Sequence, residues 1–412
     1  MISKTGRTAE TLYADVLTIG GGLVGGTLAC ALAEAGLTVA VVEIGDPNEA
    51  LSTGFDGRAS AVALSSRRLL EGIGLWDKIE GQSAPILDIR VTEGESRLFL
   101  HYDHRDVSDE PLGHMVENRF IRRGILERMR ELERNRLLAP ARLMELARRP
   151  GMVEATLADG RRIRAPLVVA ADGRFSRVRE EAGIRVTQWS YGQSGIVCTV
   201  VHERPHGNIA HERFLPTGPF AILPLPENRS SIVWTERSDL AAAIMKLNDA
   251  DFTDELAARF GDFLGGVEVA GPRWSYPLAL QYAHASVAHR LALVGDASHA
   301  MHPIAGQGLN MGWRDVAALA EVLADARRLG LDLGAADVLE RYERWRRFDN
   351  TLMLAMTDGL NRLFSNDIAP LRLARDTGLA VVNRIPPLKK LFMRHAMGVV
   401  GEVPKLMRGE TL

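Results

Sequence analysis

Cysteine, long apolar runs and any surplus of charge of one sign are all scarce in this 412-residue sequence, and each scarcity excludes something. The two cysteines, Cys30 and Cys198, stand far apart in apolar or strand-like surroundings without metal-ligand spacing, which argues against a thiolate metal site and suits a reducing cytoplasm. A formal net charge of −2 lacks the basic surplus of nucleic-acid-binding proteins, so no nucleic-acid partner is expected. No run of about 18 apolar residues offers a membrane span, and the opening MISKTGRTAETLYADV has no continuous apolar core of the kind a signal peptide needs. A cytoplasmic protein is expected, at most peripheral to the inner face of a membrane. Repeats and low-complexity linkers are missing too. The chain is longer than one ordinary core supports, so two domains are expected to interleave rather than follow one another.

Glycines are present in telling places. From Asp15 to Glu43 the pattern is apolar strand, glycine turn, alanine-rich helix and second apolar strand, a βαβ unit. Gly20, Gly22 and Gly25 have G-x-G-x-x-G spacing where the strand turns into the helix. Gly20 permits the tight turn, Gly22 lets a pyrophosphate approach the backbone, and Gly25 allows close helix–strand packing. Negative phosphates suit the positive end of the helix dipole, and Glu43, ending the next strand, is placed to accept from an adenosine ribose.

Two further buried-strand patterns end in aspartate. APLVVAADG stops at Asp172-Gly173, followed by Arg174, Ser176 and Arg179; alone it reads equally as a turn dipeptide with solvated arginines. HRLALVGDASHAMHPIAGQGLNMGWRD carries Asp296 at the strand end and then a glycine-bearing loop that opens another helix near Gly306 to Asn310. A carboxylate there suits a ribityl hydroxyl, and the helix N-terminus suits the negative charge of a reduced flavin. His299 and His302 have no third ligand nearby, so loop packing or polar lining is favoured over a metal. Between Gly192 and Trp234, short β-branched and aromatic runs separated by Pro, Gly and Asn predict an antiparallel sheet, and from Leu309 onward the pattern is helical.

Together, Gly20-Gly22-Gly25, Asp172-Gly173 and the GDASHAMHPIAGQGLNMGWRD segment resemble the FAD-dependent aromatic hydroxylases, the group containing para-hydroxybenzoate hydroxylase. FDGRASAVALSSRRLLEGIGLW, GHMVENRFIRRGIL, ERFLPTGPFAILPLP and YERWRRFDN resemble its ubiquinone-biosynthesis branch. The resemblance implies an α/β fold: a Rossmann-like FAD-binding domain (1–80, 111–184, 285–345) interleaved with a mainly antiparallel β-sheet substrate domain (81–110, 185–284), plus C-terminal helices (346–412). Cofactor contacts are implied for Arg58 and Arg122. Asp296 would meet the ribityl or pyrophosphate region. Pro303, Gly306, Gly308 and Asn310 would lie near the isoalloxazine ring and its phosphates, and Asp172 would support the site indirectly.

The implied chemistry is hydroxylation of an electron-rich ring by a flavin hydroperoxide, with dioxygen as cosubstrate and reduced NAD(P) or another electron donor supplying the reductant. A single G-x-G-x-x-G unit fits this group, in which nicotinamide has no Rossmann domain of its own. No side-chain catalyst stands out. The leading substrate is a polyprenylated phenol, a ubiquinone precursor; a soluble phenol, or a flavin-binding scaffold role in a biosynthetic complex, are the alternatives. Phe220, Leu223, Pro224 and Trp234 read as pocket lining or as ordinary sheet core. Arg384, Lys389, Lys390, Arg394, Lys405 and Arg408 give the C-terminus a basic, amphipathic character that suits an anionic bilayer, another subunit or a solvated helical tail.

Overall fold

A computed structural model describes residues 11–52, 56–94, 99–303, 306–364 and 382–412. The N-terminal residues 1–10 of the leader reading, Phe55 of the FDGRA segment and residues 304–305 of the third motif lie outside the described residues.

The apolar strands of the sequence form the middle of a parallel sheet. Its order is Val287–Ala288, Leu291–Leu293, Leu167–Ala170, Val16–Ile19, Val39–Val42 and Asn135–Leu138, with every pairing parallel except that of the short edge strand Val287–Ala288. Val16–Ile19, Val39–Val42 and Leu167–Ala170 are buried throughout, as a sheet covered on both faces requires. Alternation sorts their side chains. Val16, Val39, Val41, Leu167 and Val169 pack under helices Leu23–Glu34, Asn118–Glu131 and Gly308–Arg328, whereas Leu17, Ala40, Val42, Val168 and Ala170 pack against a smaller sheet containing Val153–Leu157 and Arg162–Ala165.

The second large sheet runs in the order His299–Ala300, Val267–Ala283, Val186–His202, Arg229–Arg237, Gly218–Leu225, Ile209–Leu215, Asp88–Glu93 and Phe99–Asp103. It is antiparallel apart from the parallel pairing of Ile209–Leu215 with Asp88–Glu93. The antiparallel reading of Gly192 to Trp234 holds. One face of this sheet is closed by helices Ser238–Ile244 and Asp249–Phe260. The latter helix begins where the Asn248 side chain accepts from the Asp251 N–H at 2.9 Å and ends at Gly261 with φ +83°, a left-handed stop that favours glycine.

Phe220 and Trp234 lie on that closed face, both wholly buried with Phe252, Leu256 and Phe260, so of their two readings the core one applies. The opposite face is covered differently. There, Ala210, Leu223 and Leu225 pack against Leu64, Met115, Met393, Met397 and the strand Ala59–Ala63. That strand belongs to a three-stranded sheet with Gly113–Glu117 and Ser83–Ile86. The C-terminal helices Ala336–Phe364, Pro386–Ala396 and Lys405–Arg408 complete the fold.

Candidate functional site

The motif residues meet because all follow carboxyl ends of neighbouring parallel strands, the edge at which such sheets bind ligands: Gly20 follows Ile19, Glu43 follows Val42, Asp172 lies just past Ala170, and Asp296 lies beyond Leu293. Gly20 has φ +98°, and a Cβ there would stand 2.3 Å from the Ala171 carbonyl oxygen. A Cβ on Gly25 would stand 2.0 Å from the Gly20 carbonyl oxygen. These two glycines are required by the chain itself. Gly22 is different: its φ is −70°, open to any residue, and no atom of the described residues lies within 4 Å of where its Cβ would be. It is exposed, it caps the helix Leu23–Glu34 without a side-chain bond, and no acidic residue sits in the first turn. Nothing among the described residues accounts for a glycine there, whereas a phosphate approaching bare main-chain N–H groups does.

Gly308 repeats the arrangement. It opens helix Gly308–Arg328, again without a side-chain cap or a first-turn acid, and again with no described residue within 4 Å of where a Cβ would be. The two helix N-termini lie side by side: Val24 in the first turn of one faces both Gly295 and Gly312, and a Cβ on Gly312 would be 2.8 Å from the Val24 Cγ2. Trp313 ties them further, its indole N–H donating to Thr27 Oγ1 at 3.1 Å. Two positive helix ends with unobstructed approaches fit a pyrophosphate and a flavin better than any neutral ligand.

Glu43 accepts from the Gly21 N–H at 2.6 Å and from the Gly45 N–H at 2.8 Å, so the acid that ends its strand also holds the glycine turn in shape. Arg58 and Arg122, distant in sequence, converge on the buried carboxylate of Asp56. Arg58 donates through Nε at 2.9 Å and a terminal nitrogen at 3.0 Å, and Arg122 donates to the second oxygen. Burial alone would raise the Asp56 pKa, but these hydrogen bonds hold it well below the usual carboxylate range. The Arg58 guanidinium lies 4.9 Å from the Tyr276 ring centre, and the Trp274 ring sits directly against Gly57. Asp56, Trp274 and Tyr276 were not singled out from sequence. Asp56 stands in the quoted FDGRA segment, but nothing local marks it as the meeting point of two arginines.

The second and third strand ends are clamped together. Arg179, buried, donates to the Ala297 carbonyl at 3.0 Å, and the Gln281 amide donates to the Arg174 and Asp296 carbonyls at 3.0 and 3.3 Å. Gly173 has φ +83°, and Asp172 accepts from the Val178 N–H at 3.4 Å, with burial holding its carboxyl above the ordinary value. Asp296 itself is exposed, as is Pro303, whose carbonyl accepts from the Gly306 N–H at 2.9 Å. The side chain of Asn310 is fully engaged. It accepts from the Ala63 N–H at 2.9 Å and donates to the Ala61 carbonyl at 2.7 Å, so it completes the edge of the strand Ala59–Ala63 and leaves only main chain to face a ligand.

His299 donates to Asp315 at 2.7 Å, and Asp315 also accepts from the Gly295 N–H at 3.0 Å and from Arg346 Nε at 2.8 Å. His302 is buried edge-on to the Tyr191 ring. Among the described residues no group of three or more His, Cys, Asp or Glu could hold a metal ion.

Comparison with known proteins agrees with the geometry. A family profile described as "FAD binding domain" matches residues 13–353. The chain is 59% identical to a ubiquinone hydroxylase of Rhodospirillum rubrum over 97% of its own length and 94% of the relative's. It is 36% identical to the 3-demethoxyubiquinol 3-hydroxylase of Escherichia coli, covering 93% of this chain and 98% of that one. In three dimensions it is similar to the p-nitrophenol 4-monooxygenase of Pseudomonas putida, with a TM-score of 0.80 at 21% identity over 95% of this chain and 99% of that chain, a likeness of fold. With matches of this extent over almost its whole length, the chain belongs to the FAD-dependent hydroxylase family, in the branch of the ubiquinone-biosynthesis hydroxylases.

Proposed function

We propose that the protein hydroxylates the aromatic ring of a polyprenylated ubiquinone precursor, using FAD, dioxygen and reduced NAD(P) as the electron donor. The observation that carries this reading is the pair of helix N-termini at Gly22 and Gly308, neither with a side-chain cap or a first-turn acid, the first at the carboxyl edge of the parallel sheet. Bound FAD supplies activation of dioxygen for transfer of one oxygen atom to the ring. The chain's own residues hold and orient. Gly20, Gly22 and Gly25 seat the pyrophosphate, Glu43 the adenosine ribose, and Arg58 and Arg122 the edge near Asp56. Asp296 takes the ribityl chain, Pro303, Gly306, Gly308 and Asn310 shape the ring's surroundings, and Asp172 braces the loop behind them. The substrate wall is assigned to the second large sheet and the cofactor to the elements around the parallel sheet, with the described C-terminal helices against them.

The similarity to ubiquinone hydroxylases over almost the full chain supports a prenylated substrate. No helix among the described residues is long and apolar enough to cross a membrane. Peripheral contact is supported instead by the helix Pro386–Ala396, which carries no acidic residue and leaves Lys390, Leu391 and Arg394 exposed on one side, a combination that suits an anionic bilayer surface. The test is oxygen consumption coupled to hydroxylated product, with a prenylated phenol and its tail-less analogue compared at equal concentration. Preference for the prenylated ring is expected. Strong preference for the tail-less ring would replace the substrate, and FAD retention without substrate-stimulated reduction would leave only a scaffold.

A further inference from the structure

The face of the large sheet that meets the FAD domain is apolar along one row crossing six strands. In register, Val91, Glu212, Ala221, Val233, Val197 and Trp274 stand side by side, and Trp274 ends the row against Gly57, next to Arg58. Directly opposed residues share a face, so Glu212 points the way Trp274 does. Its chain neighbours confirm the side: His211 packs on Phe263 and Arg213 donates to the Arg259 carbonyl, both on the helix-covered face, whereas Ala210 packs with Leu223, Ala59 and Ala61. Ala61 in turn is the residue that Asn310 holds and that Gly306 faces. Glu212 thus stands on the wall that looks toward the start of helix Gly308–Arg328.

A carboxyl in that row is out of keeping with its neighbours. Glu212 makes no hydrogen bond or ion pair with any described residue; Glu93, on the same face of a nearby strand, has an interaction of its own. The side chain keeps part of its surface accessible, and burial pushes its pKa up to about 7. An unpaired carboxyl is costly inside a protein unless a partner arrives with the ligand.

We infer that Glu212 is the substrate-recognising residue of the wall, its carboxylate accepting a hydrogen bond from the phenolic hydroxyl of the ring that is hydroxylated. Drawing that proton toward the carboxylate raises electron density on the ring and fixes which edge faces the cofactor; the apolar neighbours receive the rest of the ring. The inference rests on the reading of the protein as a phenol hydroxylase.

The test uses FAD-loaded enzyme and two probes, a short-chain 2-prenylphenol and its methyl ether, with kcat/KM measured for each in wild type, E212Q and E212L. Wild type is expected to favour the phenol, and E212L to lose about ten- to a hundredfold on the phenol while hardly changing on the ether, so that the ratio collapses. E212Q, which keeps an acceptor but no charge, should narrow the ratio by less. It carries the test if E212L fails to load FAD. A ratio unchanged in E212Q and E212L, or phenol and ether falling together, would overturn the assignment while leaving the enzyme a hydroxylase. Failure of wild type to hydroxylate any phenol would sink the functional reading itself, and the assignment with it.

Discussion

The imidazole of His299 and the carboxylate of Asp315 meet at 2.7 Å in an interior from which both side chains are almost wholly excluded from water. Asp315 sits on the helix Gly308–Arg328 and His299 just past the strand end that carries Asp296, so the contact fixes the loop against the helix whose N-terminus opens the cofactor site. Arg346 on the long C-terminal helix binds the other oxygen of the same carboxylate and continues to Asp349 and Asn350 at 2.8 Å each. One buried acid therefore joins three parts of the chain.

Replacing that acid should be costly. Asp315→Asn removes the wholly buried one of the two carboxylates that Arg346 binds, leaving it only the more exposed Asp349, and a loss of about 3–5 kcal/mol in urea unfolding is expected. A loss below about 1 kcal/mol would mean that water or a rearranged Asp349 takes over. Burial alone would raise the Asp315 pKa, yet His299 and Arg346 bring it from 3.8 down to about 2. Because the folded value lies below the unfolded one, the stabilisation is full above the unfolded value and is lost as pH falls toward the folded one. The stability gap between wild type and Asp315→Asn should therefore narrow across that acid window.

The glycines separate fold from cofactor. Gly25→Ala places a methyl group against the Gly20 carbonyl and should abolish folded protein. Gly22→Ala meets no protein atom, so the apoprotein should melt as wild type does, while FAD affinity measured by fluorescence titration drops about tenfold or more, equivalent to about 1.4 kcal/mol. Unchanged FAD affinity in this variant would remove the pyrophosphate from that turn.

Arg58 and Arg122 share Asp56 but differ in exposure, the Arg58 side chain being 50% exposed and that of Arg122 13%. Arg122→Ala should cost about 1.5–3 kcal/mol of apoprotein stability as well as FAD affinity, because a charged hydrogen bond is lost from a buried carboxylate. Arg58→Ala should weaken FAD binding with a much smaller stability loss. Equal stability losses in thermal melts would contradict this division.

The two faces of the substrate sheet predict opposite phenotypes. Phe220→Ala opens a cavity in the helix-covered core and should cost about 3–5 kcal/mol, with KM of the folded enzyme nearly unchanged. Leu223→Ala, on the face toward the FAD domain, should alter KM for a prenylated phenol more than it alters stability. A large KM change from Phe220→Ala alone would reverse the assignment of faces.

The βαβ unit, the antiparallel sheet and the helical C-terminus were legible because each is written in local pattern: glycine spacing, two-residue alternation and helical periodicity. The spacing that marks out Gly22 was legible for the same reason. Asp56, Asp315 and Glu212 were not, since an acid in a loop, a helix or a strand looks alike until its partners are in place. Asn310 shows the converse. Its position in the third motif is plain from the sequence, yet only the fold reveals that its amide is taken up by the Ala59–Ala63 strand.

By itself the sequence determined which segments become strands and helices, and that three strands end in a glycine turn or an aspartate, because short-range sterics and hydrophobic periodicity act between residues a few positions apart. Only the tertiary structure decided which side of the second large sheet is closed by helices and which packs on the strand Ala59–Ala63. Alternation marks two faces without saying what covers either, and that choice is made by packing between segments more than a hundred residues apart, as when Ala61 meets Asn310.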